Sequence, residues 1–247
     1  MAMHEGKIAF ITGANRGIGF ETAKRLSELG MTVVIGSRDL AKGEEAVKKL
    51  ELLGFKAEAI KYDANSEDSA PKAFAYFEQK YGKLDILINN AGMCAEPLFG
   101  NESSSTISSD TLLQTFQTNF FDVVNLTQTL LPLIRKSSAG RIVNLSSILA
   151  SLTLHSMPNS PIDPAKAFAY NASKTALNAF TVHLAHELRN SPIKVNSAHP
   201  GWVKTELGGM NAPMEVADSY KTSVHLATLD ENGPSGGFFH EGEALPW

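Results

Sequence analysis

The strongest constraint on the fold is a regular alternation of short apolar runs with amphipathic segments along the 247 residues. The apolar runs are rich in β-branched residues and predict buried strands at 8–11, 32–35, 57–62, 84–88, 141–145 and 193–198. The segments between them have the helical period, at 18–29, 40–52, 67–81, 110–134, 167–189 and 213–227. A turn-like stretch at 233–237 before two phenylalanines predicts one more strand. The pattern predicts an α/β fold, a doubly wound parallel sheet of about seven strands with helices on both faces.

The alternation runs along the whole chain without a repeat or a linker, so one domain over residues 1–247 is predicted. Two stretches interrupt it. Residues 96–109 are rich in Ser, Asn and Gly, and residues 151–164 contain three prolines. Both compositions predict loops.

Composition argues against several classes of protein. The net charge of -4 gives no sign of a surface that binds nucleic acid or anionic membranes. Cys94 is the only cysteine, so an intramolecular disulfide is impossible and a reducing compartment is expected. No apolar run approaches the roughly 20 residues of a membrane-spanning helix, and residues 1–7 are too short and polar for a signal peptide. Neither His-Glu-x-x-His nor Gly-x-Ser-x-Gly occurs, so no metal site and no serine esterase is predicted. A cytoplasmic protein without nucleic-acid or membrane partners is expected.

Three glycines, Gly13, Gly17 and Gly19, follow the first strand directly and open the first helix. A glycine-rich turn in this position lets the backbone approach the pyrophosphate of a dinucleotide at the helix N-terminus. The spacing is G-x-x-x-G-x-G rather than the G-x-G-x-x-G of many dinucleotide enzymes. The turn lacks the Gly-Lys-Ser/Thr of a phosphate loop, which argues against an ATPase.

The residues after the second strand bear on the choice of nucleotide. Proteins that bind NAD usually place an acidic residue here for the ribose diol, whereas this chain has Ser37 and Arg38. Arg16 lies beside the second glycine of the turn. Two guanidinium groups favour a 2′-phosphate through charge-assisted hydrogen bonds, which predicts NADPH over NADH. Asp39 leaves the alternative open, since a small shift would bring its carboxylate to the ribose.

Tyr170 and Lys174 lie four residues apart in a helical segment, so their side chains share one face of the helix. An ammonium beside a phenol favours the phenolate, which predicts that the pKa of Tyr170 falls from about 10 toward neutral pH. Such a tyrosine exchanges a proton with an alcohol or carbonyl oxygen as a general acid or base. A pair at this spacing is often only part of a helix surface, and the glycine turn in the same chain gives it weight.

Taken together, these motifs resemble the short-chain dehydrogenase/reductase superfamily over nearly the whole chain. Besides the glycine turn and the Tyr170/Lys174 pair, the resemblance rests on Asn89-Asn-Ala-Gly92 after the fourth strand, Asn119 in a long helix, Ser146-Ser147 after the fifth strand, and Pro200-Gly201 to Thr205 after the sixth. It implies the Rossmann fold of that superfamily.

The resemblance implies roles for four residues. Tyr170 would donate a proton to a ketone, while Lys174 would lower its pKa and hold the nicotinamide ribose. Ser147 would orient and polarise the carbonyl oxygen, because the second hydroxyl of this pair faces the site in the family; Ser146 is the alternative. Asn119 would hold a water in a proton relay that ends at Lys174, or would be a core amide that kinks its helix.

The resemblance also implies a set of cofactor contacts. These are Gly13, Asn15, Arg16, Gly17, Ile18, Gly19, Ser37, Arg38, Asp63, Ala64, Asn90, Ala91, Gly92, Tyr170, Lys174, Pro200, Gly201, Val203 and Thr205. Asp63 and Ala64 would lie near the adenine, and Pro200 and Gly201 over the nicotinamide. Asn89 is expected to bridge strands instead.

Tyr170 lies 23 positions after Ser147, a longer interval than in many short members of the family. The extra length fits the loop 151–164, which with 96–109 and 202–213 would border the substrate pocket. This loop and the C-terminal stretch resemble the carbonyl reductase branch. The resemblance therefore implies an NADPH-dependent carbonyl reductase, or a secondary alcohol dehydrogenase, that transfers hydride between nicotinamide and a ketone or aldehyde. An apolar pocket wall is expected from Leu98, Phe99, Leu149, Leu152, Leu154, Trp202 and Met210.

The sequence leaves two alternative functions open. One is a reductase of a specific metabolite such as a 3-oxoacyl thioester, and the other is a non-catalytic protein that senses NADPH. A homo-oligomer, dimer or tetramer, is expected, and the loop 151–164 leaves the oligomeric state open.

Overall fold

The structure is a computed structural model that describes residues 4–99 and 104–247. Residues 100–103 of the predicted loop 96–109 lie outside the described part of the chain. Within that part, one sheet of eight strands has the order β3-β2-β1-β4-β5-β6-β7-β8. The strands are β1 Ile8–Thr12, β2 Thr32–Ser37, β3 Ala57–Lys61, β4 Ile86–Asn89, β5 Arg141–Leu145, β6 Lys194–Ala198, β7 Phe238–His240 and β8 Glu243–Ala244. All neighbours pair in parallel except β7 and β8.

Helices cover both faces of the sheet, as the doubly wound pattern requires. They are α1 Gly17–Glu28, α2 Leu40–Leu52, α3 Ser69–Tyr81, α4 Ser109–Phe116, α5 Asp122–Ile134, α6 Leu152–Ser156, α7 Phe168–Glu187 and α8 Lys221–Ala227. None of the described helices is long and apolar enough to cross a membrane.

The alternation of side chains along β1 produces two apolar layers. Phe10 faces a layer shared with Phe77 of α3 and Leu184 of α7. Ile11 faces the opposite layer, together with Leu26 of α1 and Leu226 of α8. Successive strand residues point to opposite faces, so a strand buried on both sides is apolar at every position, as β1 is.

The sheet order places the site. The chain builds outward from β1 to β3, then returns to β4 beside β1 and builds in the other direction. The connections after β1 and β4 therefore diverge and leave a crevice at the carboxyl ends of these two strands. Ligands of open α/β sheets bind at such a switch point.

The predicted fold class is confirmed, and the six strands predicted from apolar runs are all present, with ends shifted by two residues at most. Three segments differ from the prediction. The helix expected over 110–134 is interrupted by a π-helical turn at Gln117–Phe121. The expected loop 151–164 contains the short helix α6, which Ser151 caps by accepting from the Leu154 amide. The helix expected over 213–227 begins only at Lys221.

The C-terminal prediction was incomplete. The final strand at Phe238–His240 is confirmed, but it is followed by the two-residue strand β8, which turns back antiparallel along it. Both residues of β8 are exposed, so no apolar run marks them in the sequence.

Candidate active site

A cavity of about 1350 Å³ lies at the carboxyl ends of the strands, over the crevice between β1 and β4. All the residues predicted to contact a cofactor line it, from Gly13 after β1 to Thr205 beyond β6. Ser147, Tyr170 and Lys174 also line it, whereas Asn119 does not. The geometry thus brings together three of the four residues expected to act chemically, and places the fourth behind the wall.

The turn after β1 requires glycine for two different reasons. Gly17 has φ +60°, a conformation that side chains other than glycine rarely adopt. At Gly19 the limit is space, since a Cβ there would lie 2.5 Å from Asn90 Nδ2 and 2.8 Å from the Cα of Ala14. Arg16 gives α1 no side-chain cap, so the first amides of the helix face the cavity without a side-chain acceptor. These amides fit the phosphates of a dinucleotide.

Asn90 and Thr12 hold this turn against the loop after β4. The Asn90 side chain donates to the carbonyl oxygens of Thr12 at 2.8 Å and of Gly13 at 3.3 Å. The Thr12 hydroxyl accepts from the amides of Asn90 and Ala91. Asn90 lines the cavity as expected, but its amide group supports the glycine turn.

The end of the cavity beside β2 carries several cations. Arg38 and Arg16 both line it, and Arg16 forms an ion pair with Glu206 at 2.5 Å. Lys42, on the first turn of α2, lines the same region and was not identified from the sequence. The Asp39 carboxylate accepts from the amides of Ala41 and Lys42 and so caps α2. This end of the cavity therefore carries three cations, and Asp39, which also lines it, is held in place as the cap of α2.

Tyr170 and Lys174 lie on the buried face of α7, one turn apart. The Lys174 ammonium donates to the carbonyl oxygen of Leu145 at 2.7 Å and lies 5.8 Å from the centre of the Tyr170 ring. Ser147 follows β5, accepts from the Leu149 amide at 3.2 Å, and lowers the pKa of the Tyr170 phenol through a hydrogen bond. The two hydroxyls and the ammonium converge on one region of the cavity wall.

The predicted fall in the pKa of Tyr170 is wrong for this structure. Burial raises the pKa of the phenol to about 12, and the hydrogen bond from Ser147 offsets only part of that rise. The pKa of Lys174 falls to about 8, also through burial. The reason is that desolvation disfavours both charged forms, while the ammonium points toward Leu145 rather than the phenol. Tyr170 therefore keeps its proton at neutral pH.

The two neighbouring serines have different environments. Ser146 is 3% exposed, and among the described residues its hydroxyl has no hydrogen-bond partner. Ser147 caps the short 3-10 turn Ile148–Ala150 and, of the two serines, is the one that offsets part of the rise that burial causes in the pKa of Tyr170. The geometry favours Ser147 as the residue beside the reacting oxygen, and its role remains a prediction.

Asn119 connects three elements from behind the cavity wall. It is fully buried in the π-helical turn, exchanges two hydrogen bonds of 2.8 Å with the backbone of Met93, and donates to the Ser173 hydroxyl on α7 at 3.0 Å. A Cβ on Gly92 would lie 3.3 Å from both Asn119 Oδ1 and Lys174 Nζ. Asn119 is thus both a core amide in an interrupted helix and a close neighbour of Lys174, and the water relay remains a prediction.

Asn89 has the structural place expected for it. Its amide nitrogen donates to Thr127 of α5 at 3.0 Å and to Asn144 of β5 at 2.8 Å. It does not line the cavity. The prediction that Asn89 bridges strands is confirmed.

The far end of the cavity has an apolar wall, only part of which was predicted correctly. Leu98, Phe99, Leu149 and Trp202 line it. The expectation was wrong for Leu152, Leu154 and Met210, which do not line it; Leu152 is 64% exposed and Met210 is 81% exposed. Leu152 and Leu154 belong to the short helix α6, in which Leu152 faces outward and Leu154 packs behind the wall against the cluster of Leu149, Ile162 and Tyr170.

Two polar residues of the wall were missed in the sequence. His199 is buried beside Ser147, and its Nδ1 accepts from the Ile148 amide at 3.2 Å; burial lowers its pKa to about 3, so the ring is neutral. Glu96 is only 6% exposed and accepts from the Tyr170 amide at 2.9 Å. Both bonds join residues far apart in the chain, so no local pattern indicates them.

Comparison with known proteins agrees with this architecture. Residues 7–215 match the family model described as short chain dehydrogenase. The chain is 30% identical to (-)-isopiperitenone reductase of Mentha piperita, with 97% of this chain and 98% of that protein covered. It is 28% identical to NADPH carbonyl reductase 1 of Mus musculus, with 97% and 98% covered. The solved structure of the carbonyl reductase Sniffer of D. melanogaster superposes with a TM-score of 0.84 at 30% identity, covering 99% of this chain and 100% of that one.

Proposed function

The chain belongs to the short-chain dehydrogenase family, and on that premise we propose that it is an NADPH-dependent carbonyl reductase that converts a ketone or aldehyde to an alcohol. The family makes it an oxidoreductase that uses a nicotinamide cofactor. The finer proposal is carried by one observation: a tyrosine, a serine and a lysine share the wall of a cavity whose other end is cationic. When bound there, the nicotinamide would supply the hydride.

Tyr170 would supply the proton. Reduction of a carbonyl leaves negative charge on its oxygen, so a nearby acid that still holds its proton lowers the barrier. Because burial raises the pKa of Tyr170 to about 12, the phenol remains protonated across the neutral range and can serve as that acid. The proton would pass from the phenol oxygen to the substrate oxygen.

Ser147 and Lys174 would stabilise the charge that develops during this transfer. The Ser147 hydroxyl lies beside the phenol and would donate to the carbonyl oxygen as a preorganised dipole. Lys174, held by Leu145, would keep a positive charge near the phenolate that forms on Tyr170. Asn119 would fix the backbone of Met93 and the adjacent loop, and hold the water through which Tyr170 regains a proton.

The cofactor preference rests on the cations at the β2 end. Arg38 lines the cavity beside Arg16 and Lys42, and each can donate to a 2′-phosphate. Arg16 is engaged by Glu206, which leaves Arg38 as the guanidinium best able to bind a phosphate among the described residues. The preference for NADPH over NADH should therefore depend mainly on Arg38.

The proposal is tested by cofactor oxidation at 340 nm over a panel of ketones and aldehydes, with NADPH and NADH, for wild type and Arg38→Leu. The wild type should favour NADPH, and the substitution should reduce that preference about 10- to 100-fold, the value of one charge-assisted hydrogen bond. Arg189→Leu is the matched control, because Arg189 is exposed and its guanidinium bonds only to His186 at the end of α7 in the described structure. Equal use of both cofactors by the wild type would contradict the NADPH assignment.

A further inference from the structure

We propose that Glu96 selects the substrate of this site, favouring carbonyl compounds that also carry a protonated amine. This inference rests on the proposed reductase function, whose substrate end it describes. The observation behind it is the Glu96 carboxylate, in which one oxygen accepts a hydrogen bond from the protein and the other has no donor among the described residues.

The first oxygen fixes the side chain in place. Glu96 Oε1 accepts from the backbone amide of Tyr170 at 2.9 Å. Tyr170 lies in the first turn of α7, whose N-cap residue, Ala167, provides no side-chain acceptor. A carboxylate at this position satisfies a free helix amide and interacts favourably with the helix dipole. Glu96 as a whole is 6% exposed, so the protein shields it almost completely from solvent.

The second oxygen has no such use. Glu96 Oε2 is buried, and no donor from the described residues reaches it. A buried carboxylate oxygen without a donor is costly, and its cost is removed when a donor arrives. Glu96 lines the cavity, although Oε2 itself is covered, so a rotation of the carboxylate would bring this oxygen to a donor on a bound molecule.

The charges along the cavity make a cation the best donor. The cations that line the cavity lie away from Glu96 in the chain. They are Arg16, Arg38 and Lys42 at the nucleotide end, beside β1 and β2, Lys204 in the segment after β6, and Lys174 on α7. The substrate end, as far as the structure describes it, consists of residues 93–99, 147–149 and 161–165, together with Trp202, which packs on Phe99. Among these residues Glu96 is the one charged residue that lines the cavity. Lys204 and Glu206 follow Trp202 and also line it, but each is paired, Lys204 with Glu215 and Glu206 with Arg16.

The surroundings of Glu96 strengthen such a contact. Its neighbours Cys94 and Leu98 pack against the cluster of Leu149, Ile162 and Tyr170. An ionic hydrogen bond is stronger in apolar surroundings than in water. The amine would lie near the carbonyl, since Glu96 bonds to the backbone of the residue that donates the proton.

The test compares two ketones of the same shape, one with a protonated dimethylamino group and one with an isopropyl group in its place. The quantity measured is the ratio of their kcat/KM values with NADPH, for wild type and Glu96→Gln. The glutamine keeps an oxygen for the Tyr170 amide but replaces the charged oxygen with an NH₂ donor. The wild type should prefer the amine, and in Glu96→Gln the ratio should fall about 10- to 100-fold, mainly through the KM of the amine. The ratio does not depend on the fraction of folded protein.

Asp163→Asn is the matched control. Asp163 lies on the same loop as the lining residues Ile162 and Pro164, but it is 45% exposed, pairs with Lys166, and does not line the cavity. Its substitution removes the same unit of charge near the entrance and should leave the ratio unchanged. An equal fall in both variants would attribute the preference to long-range attraction and overturn the proposal.

Calorimetric binding of the same two ketones to the NADPH-loaded protein measures the preference without turnover. If the wild type binds the amine more tightly and Glu96→Gln does not, the inference stands even when neither ketone is reduced, and only the proposed function fails. If both ketones are reduced with a ratio that Glu96→Gln does not change, the reductase function stands and the inference is overturned.

Discussion

At the scale of single residues, burial sets the protonation of the two groups that the proposed chemistry needs. The same desolvation raises the pKa of Tyr170 to about 12 and lowers that of Lys174 to about 8. The phenol therefore keeps its proton where the ammonium begins to lose one. The sequence indicates that the two residues are neighbours, but the shift of each pKa depends on what surrounds them.

A pH profile should separate the two groups. Lys174 is charged below its pKa of about 8 and neutral above it, so the charge that would stabilise the forming phenolate is lost as pH rises. We expect kcat/KM for reduction to fall above about pH 8, by about tenfold per unit. In Lys174→Met this fall should be absent and the rate low throughout. A fall at the same pH in Lys174→Met would assign it to another group.

Substitution of each serine should distinguish their roles. Ser147→Ala removes the hydroxyl beside the Tyr170 phenol and should lower kcat by about 10²-fold or more, as the loss of one preorganised donor does. Ser146→Ala removes a hydroxyl without a partner among the described residues and should cost much less. Steady-state kinetics on one ketone measures both. A larger loss in Ser146→Ala would reverse the assignment.

At the scale of elements, the site depends on bonds between segments that the chain keeps far apart. Asn119, in the π-helical turn before α5, joins the loop after β4 to α7 through Met93 and Ser173. An extra residue in a helical turn changes the face on which the next side chains lie, so the turn at Gln117–Phe121 aims Asn119 at this loop. The interrupted helix is thus part of the construction of the site.

Asn119→Leu should lower both stability and activity. The substitution keeps the volume but leaves the Met93 amide and carbonyl without their side-chain partner and removes the donor to the Ser173 hydroxyl, which should lower the free energy of unfolding by about 1–3 kcal/mol. Urea unfolding measures this change, and kcat measures the loss of support for the site.

Asn89→Leu is the control for that experiment. Asn89 is also buried and bonded to two elements, but its bonds go to Thr127 of α5 and Asn144 of β5 and not to the Met93 loop or to α7. It should lose similar stability and much less kcat. Equal losses of kcat in the two variants would mean that Asn119 acts only through the general stability of the fold.

At the scale of the whole molecule, the sequence predicts the parallel strands of the sheet and most of the residues at the nucleotide end of the cavity. Strands such as β1 are apolar at every position because both faces are buried, and the glycine turn is local, so both are visible in the sequence. The features that were missed depend on distant partners. Strand β8 is two exposed residues that pair with the edge of β7, and Glu96 accepts from an amide 74 residues away.

The pocket wall shows the same limit. Three prolines suggested a loop over 151–164, yet Ser151 caps a helical turn there and carries Leu152 away from the cavity. A capping serine before Leu152 and Leu154 is a weak local signal for a helix, because the start of a helix there depends on how the segment packs. The substrate end of the cavity is therefore the part that the sequence predicts least well.

The central claim is that Tyr170 is the acid of a carbonyl reductase, and the most direct test is NADPH oxidation on a carbonyl panel by wild type and Tyr170→Phe. The wild type should reduce at least one ketone or aldehyde, and Tyr170→Phe should lose about 10²-fold or more in kcat, as expected for a general acid. Tyr220→Phe is the control, since its ring stacks on Arg25 outside the cavity wall, and it should retain the rate. A wild-type rate that survives in Tyr170→Phe would contradict the account.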